Sequence, residues 1–149
     1  MIVLDTSIFI DLLFEYNAER TLSAEELLSI LEENGLTIVE PDLFKVEFTG
    51  QIARRVKREL APKICEEIFA GLVFINTSRI FEEALSIALE TGSRAADSFY
   101  IACAKAEKAI LVSNDKHQIE SAKKSGIEVY NLLQDQELVK KRLLDTVFQ

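Results

Sequence analysis

Ile2-Val3-Leu4-Asp5-Thr6-Ser7-Ile8-Phe9 opens the chain with a change of period. Three consecutive apolar residues stop at an acid and two hydroxyl residues, and apolar positions then recur at Ile8, Phe9, Leu12 and Leu13. An unbroken apolar run of this kind suits a short strand buried on both faces, and the recurrence after it suits an amphipathic helix, with Thr6 or Ser7 placed to cap it. The same alternation continues along the chain. Residues 37–39, 72–75, 110–112 and 127–129 read as further strands, the last at an edge. A second helix is predicted from Ser23, where Ser23 and Glu26 form a capping box, to the Asn34-Gly35 stop. Pro41 suits the first turn of a third helix running towards Leu60, and Ala61-Pro62 restarts the chain as a fourth that Gly71 ends. Thr77 or Ser78 caps a helix ending near Gly92, and Ser93 caps the next. Residues 116–125 form another, and 135–148 a polar terminal helix.

Short strands alternating with helices predict a parallel sheet covered on both faces. The expected fold is α/β: a three-layer α/β/α sandwich with a central, mostly parallel sheet of four to five strands, formed by residues 1–149 as one domain. In such sheets ligands collect outside the carboxyl ends of the strands. Asp5 lies at one such end, and Asp115 just beyond another.

The bulk composition narrows the classes. With 149 residues the chain can bury a core without disulfide staples, and 48% hydrophobic with 28% charged residues is ordinary for a globular protein. No apolar run approaches a membrane span, and residues 1–4 lack the basic lead of a signal peptide, so a cytoplasmic protein with no membrane association is expected. Cys65 and Cys103 match neither zinc spacing nor a redox pair and are read as reduced and buried. The net charge of −8 repels polyanions on average, so any nucleic acid must follow a local basic path.

Against that background, four acids stand out, and no Ser, Cys or His arrangement competes with them. Asp97 is the most informative. It lies in a segment, residues 95–104, that is apolar or small on nearly every side at helical spacing, which marks a helix buried all round. An ionised carboxylate there is costly unless a cation or a dense set of hydrogen bonds meets it. Asp5 and Asp115 each either cap the helix that follows or act in a site. Glu47 shares a helical stripe with Gln51, Arg54 and Arg58, opposite Phe48, Ile52 and Val56, and is either part of a solvated face or functional. If all four converged within about 4 Å, each ionised pair would cost on the order of 4 kcal/mol at an effective dielectric of 20, and several such pairs would exceed a typical domain's stability. Protonation or a hard divalent cation must then offset the repulsion. An all-oxygen set without His or Cys suits Mg²⁺ or Mn²⁺, whose chemistry includes activating water for in-line phosphoryl displacement.

Four segments in order resemble the PIN-domain ribonucleases, and in particular the VapC-like toxins of type II toxin-antitoxin pairs. They are Ile2-Val3-Leu4-Asp5-Thr6-Ser7, Glu47 in a helix after Pro41, Ala96-Asp97-Ser98-Phe99-Tyr100-Ile101-Ala102, and Leu111-Val112-Ser113-Asn114-Asp115. The resemblance spans nearly the whole chain. It implies a compact α/β/α fold, Mg²⁺ or Mn²⁺ held by Asp5, Glu47, Asp97 and Asp115, and endonucleolytic cleavage of RNA. It also implies supporting hydroxyls at Thr6, Ser7 and Ser113, a homodimer, and an antitoxin segment docking on the early helices.

Arg54 and Arg58 are the expected guides for the RNA backbone, within the densest basic group of the chain, and a solvated helix end is the competing reading. Arg94 and Lys105 are further candidates to reach phosphate. His117 is read as a surface residue, and Phe9, Phe14, Tyr16 and Phe44 as packing rather than base-stacking positions. Two other classes compete. A haloacid-dehalogenase-like phosphatase also places Asp after its first strand, but wants Asp or Thr two residues on, where Ser7 stands. The other is a PIN-like module that binds RNA or protein without catalysis.

Overall fold

The computed structural model describes residues 1–148; Gln149, the last residue of the expected domain, lies outside them. Five short strands form the middle layer: β1 (Ile2–Leu4), β2 (Val39–Pro41), β3 (Val73–Ile75), β4 (Ile110–Ser113) and β5 (Val129–Asn131). Every pairing is parallel, β1 with β4, β4 with β5 and β2 with β3. One bridge from Ile2 to Ile38 joins the two groups, which sets the order β3-β2-β1-β4-β5. The central strands are buried throughout, whereas Val73 on β3 and all of β5 keep partial exposure, as edge strands do. The fold is the expected three-layer α/β/α sandwich.

The helices are α1 (Thr6–Leu13), α2 (Ala18–Glu33), α3 (Leu43–Ala53), α4 (Ala61–Phe69), α5 (Phe81–Thr91), α6 (Ala95–Glu107), α7 (Lys116–Lys124) and α8 (Gln136–Val147). On one side α6 lies along β1, β2 and β4 and packs against α5 and α7. On the other, α1 packs on α2 and α3, with α4 on α3 and α8 on α2. Phe9, Phe44 and Phe48 are fully buried and meet Phe69 and Phe74 in mostly edge-on contacts, a cluster in which each ring contributes about 1.5–3 kcal/mol by leaving water. Phe9 and Phe44 are thus core, while Phe14 and the exposed Tyr16 stack on each other under Arg55. Cys65 and Cys103 are free and buried. Among the described residues no helix is long and apolar enough to cross a membrane.

Several boundaries differ from the sequence reading, each for a local reason. Helix α2 starts at Ala18 because Asn17 caps it through Arg20 N–H, so Ser23 lies inside the helix, buried, donating to the Glu19 carbonyl. Pro41 closes β2 instead of opening a helix, and α3 begins after Asp42. That helix stops at Ala53, well short of Leu60. A 3-10 turn, Thr77–Ile80, capped by Asn76, precedes α5. Gly92, at φ 69°, ends α5 in the left-handed region open to glycine and turns the chain into α6, whose capping position is held by Arg94 and not Ser93. The last strand is Val129–Asn131, two residues later than expected.

Candidate active site

Because β1 and β4 pair in parallel with Leu4 opposite Val112, the next residues, Asp5 and Ser113, arrive side by side at the same end of the sheet. Ser113 Oγ donates to Asp5 Oδ2 at 2.7 Å, closing 108 residues of sequence with one hydrogen bond. The other carboxylate oxygen, Oδ1, accepts the Ser7 N–H at 2.7 Å, which makes Asp5 the N-cap of α1. Asp5 is therefore both a cap and a cleft residue. Burial pushes its pKa up to about 6, opposed by the Ser113 and Ser7 hydrogen bonds.

Asp115 repeats the device after β4. Its Oδ1 accepts from His117 N–H at 2.8 Å and Gln118 N–H at 3.4 Å, capping α7, while its own N–H donates to Ser113 Oγ at 2.8 Å. Ser113 thus links the two acids. Asp97 sits in the first turn of α6, buried as the sequence implies, and a cation does meet it: Arg94 Nε donates to Asp97 Oδ2 at 3.0 Å. Burial raises the Asp97 pKa, and the Arg94 hydrogen bond and charge pull it back. A second nitrogen of Arg94, Nη2, reaches Asp115 Oδ2 at 3.0 Å, so one guanidinium spans both carboxylates.

Glu47 projects from α3 and accepts from Tyr100 Oη at 3.1 Å. Tyr100 is buried on α6, and burial together with Glu40 and Glu47 raises its pKa well above the usual phenol range, so it stays a donor. With its single proton on Glu47, the Tyr100 oxygen accepts from Thr6 Oγ1 at 2.6 Å. Thr6, Ser7 and Ser113, the three hydroxyl residues singled out in the sequence, thus all lie in the network around Asp5 and Glu47.

Asp5, Glu47, Asp97 and Asp115 line one cleft of about 460 Å³, with Thr6, Ser7, Asp11, Arg20, Gln51, Arg55 and Arg94 also on its walls. Four segments far apart in sequence are brought to one opening. Arg54 and Arg58 are not: both are exposed, α3 has ended before them, and the stripe that would align them with Glu47 is broken. The cation that does line the cleft from this region is Arg55, held by Gln51 Oε1 at 2.7 Å.

Two acids were missed by sequence reasoning. Asp11 is buried on α1, where Arg20 Nε at 3.0 Å and Asn114 Nδ2 at 3.1 Å share its Oδ2. An acid interrupting the apolar run Ile8 to Leu13 was its only signal. Glu40, on β2, is fully buried and accepts the Leu4 N–H at 2.8 Å, one residue before Asp5, while its Oε2 has no partner. It stands where the single Ile2–Ile38 bridge has ended and β1 needs an acceptor in place of a neighbouring strand. Burial pushes its pKa well above the ordinary carboxylate value, opposed by the Leu4 N–H hydrogen bond. No feature of the local sequence announces that pairing.

The cleft offers oxygen donors and neither His nor Cys, the set that suits a hard divalent cation. Among the described residues, no three acidic, histidine or cysteine side chains are gathered tightly enough to hold an ion as they stand. The acids share a cleft but do not close a cage, and Arg94 occupies two of them. The donor chemistry fits a divalent ion; the present arrangement answers the charge with an arginine.

A family model described as PIN domain matches residues 2–124. Solved structures of similar fold include FitAcB from Neisseria gonorrhoeae, with a TM-score of 0.63 at 19% identity, covering 89% of this chain and 98% of that one. FitAB bound to an IR36 DNA fragment gives 0.63 at 19% identity, covering 89% and 96%. PAE2754 from Pyrobaculum aerophilum gives 0.60 at 19%, covering 97% and 96%. At these identities the likeness is one of fold. No curated protein sequence matches the chain significantly.

Proposed function

Because this chain belongs to the PIN domain family, we propose that residues 1–149 form a single nuclease domain that cleaves RNA phosphodiester bonds endonucleolytically with a divalent ion, Mg²⁺ or Mn²⁺. PIN-domain nucleases generally use divalent metal ions. The observation that carries the reading is the convergence of Asp5, Glu47, Asp97 and Asp115, from four separate elements, on one cleft at the carboxyl end of a parallel sheet.

Asp5, Asp97, Asp115 and Glu47 would hold the ion. When bound, it supplies Lewis acidity and a water of lowered pKa for in-line attack on phosphorus. The chain's own residues set the frame. Ser113 and the Ser7 N–H fix the Asp5 carboxylate, leaving little freedom for its oxygens, and Tyr100 fixes Glu47 in the same way. Arg20, Arg55 and Arg94 stand around the opening, where guanidinium forks suit phosphate oxygens. Arg54 and Arg58, exposed outside the cleft on either side of Arg55 in sequence, would offer further cations to the RNA backbone.

The same reading makes the chain the toxin of a type II pair: a cytoplasmic homodimer whose antitoxin presents a basic residue to the acidic cleft. The net charge of −8 supports such a partner and disfavours loose adhesion to nucleic acid. The test is cleavage of single-stranded and structured RNA with Mg²⁺ or Mn²⁺ by wild type, Asp5→Asn and Asp97→Asn. Cleavage by wild type alone is expected. Equal cleavage by all three, or none by any, refutes the nuclease, and divalent binding without cleavage would leave a binding module.

A further inference from the structure

Arg94 stands in an unusual place. It is the N-cap of α6, a position that favours a short side chain accepting from the first turn, and it makes no such cap. A cation there also opposes the positive end of the helix dipole. Its guanidinium nevertheless turns back over the first turn and binds two carboxylates from different helices, Asp97 and Asp115, each at 3.0 Å. The side chain is 63% exposed, so little packs it in place. Asp5 and Glu47 are held by neutral donors, hydroxyls and a backbone N–H, which supply no compensating charge. Of the four acids, Asp97 and Asp115 are the two met by a side-chain cation, one guanidinium shared between two carboxylates.

From this we infer that Arg94 is a two-position residue: it occupies the Asp97–Asp115 pair while no ion is there, is displaced when a divalent cation takes those oxygens, and then binds the phosphate of the RNA at the mouth of the cleft. The inference rests on the nuclease reading above. Displacement is feasible because the arginine end of the pair is exposed and the incoming cation takes over the charge that the buried Asp97 requires. Its tether at the start of α6 keeps it beside the cleft, where a planar fork freed from two carboxylates suits two phosphate oxygens. The same group thus guards the pair against its own repulsion and becomes available when substrate needs a positive charge. If the state with Arg94 swung out is a minor one, apparent metal affinity is lowered by its fractional population, and removing the competitor restores the difference.

The experiment is Mn²⁺ titration calorimetry on the full chain without RNA, for wild type, Arg94→Gln and Arg94→Lys, paired with RNA cleavage at saturating Mn²⁺. Arg94→Gln is expected to bind Mn²⁺ about three- to tenfold more tightly, yet to cleave RNA at least about tenfold more slowly, with most of the loss in KM. Arg94→Lys should fall between the two in both assays. A merely structural role for Arg94 would weaken both properties together. Unchanged or weaker Mn²⁺ binding by Arg94→Gln, or cleavage at the wild-type rate, overturns the inference. If wild-type Mn²⁺ binding is abolished by Asp5→Asn and Asp97→Asn while Arg94→Gln changes nothing, Arg94 alone is misassigned. If wild type binds no Mn²⁺, the nuclease reading falls and this inference with it.

Discussion

The two halves of the cleft solve the same electrostatic problem by different means. On the Asp5–Glu47 side the carboxylates rest on buried neutral donors: Ser113, the Ser7 N–H, and the Thr6–Tyr100 pair. On the Asp97–Asp115 side an exposed arginine supplies a whole charge. Neutral donors fix geometry and leave charge uncompensated; burial, the largest influence on Asp5 and Asp97 alike, lifts the Asp5 pKa to about 6. An exposed cation shared between two carboxylates supplies charge instead. The first half is built to hold position, the second to exchange partners.

The largest effect should come from removing the oxygen donors of the rigid half. Asp5→Asn is expected to lower divalent affinity by more than the 10–100-fold typical of supporting residues, and Ser113→Ala to fall within that range, both by calorimetry with Mn²⁺. If Ser113→Ala matched wild type, the Ser113 hydrogen bond would not be what positions Asp5, and the contrast would fail.

Next in size is pH. A carboxyl whose folded pKa, about 6, stands above its ordinary 3.8 is favoured in its neutral form by folding. The unfolded chain ionises first, so this contribution to stability is whole below pH 4 and lost as pH rises to 6. The loss is about 3 kcal/mol at roughly 1.4 kcal/mol per unit. In denaturant titrations with EDTA, wild type should therefore lose ground to Asp5→Asn between pH 4 and 6. Metal binding should release a proton below pH 6, seen as a buffer-dependent heat. Parallel stability curves for the two proteins would show Asp5 ionising normally.

Glu40 tests whether the rigid half depends on what lies beneath it. Burial favours the neutral form of Glu40, and Glu40→Gln mimics that form while keeping an acceptor for the Leu4 N–H, so stability and Mn²⁺ affinity should stay near wild type. Glu40→Leu orphans that buried N–H, at about 1–3 kcal/mol of stability, and should weaken Mn²⁺ binding as Asp5 loses its anchor. A Gln variant as impaired as Leu would mean that Glu40 is charged. The smallest effect is expected at Tyr100→Phe, about 1–2 kcal/mol from two lost hydrogen bonds, read by thermal unfolding.

How far this contrast was readable beforehand follows from range. Asp5, Asp97 and Asp115 were legible because each breaks an apolar pattern at a place where chain direction changes, and the apolar runs at residues 2–4 and 110–112 give the sheet centre. The supporting hydroxyls and Glu47 came through the resemblance rather than from spacing. Glu40 was not legible, since its partner lies 36 residues away and the need for it arises only where β1 and β2 part. Helix limits failed where two signals competed locally. Ser23 and Glu26 imitate a capping box inside a helix that Asn17 had already started, and the basic run after Ala53 looks helical but lies past the last turn. Arg55 lines the cleft instead of Arg54 for that reason.

Asp5 and Asp115 each start a helix with the same carboxylate that faces the cleft. An experimenter who wants an inert form of this protein, for trapping RNA or capturing a binding partner, should accordingly choose Asn over Ala. Asn starts a helix about as well as Asp does, whereas Ala costs about 1 kcal/mol per cap. Loss of function after an Ala exchange would then report a frayed helix as much as a missing ligand, and screens built on alanine would confuse misfolding with inactivation.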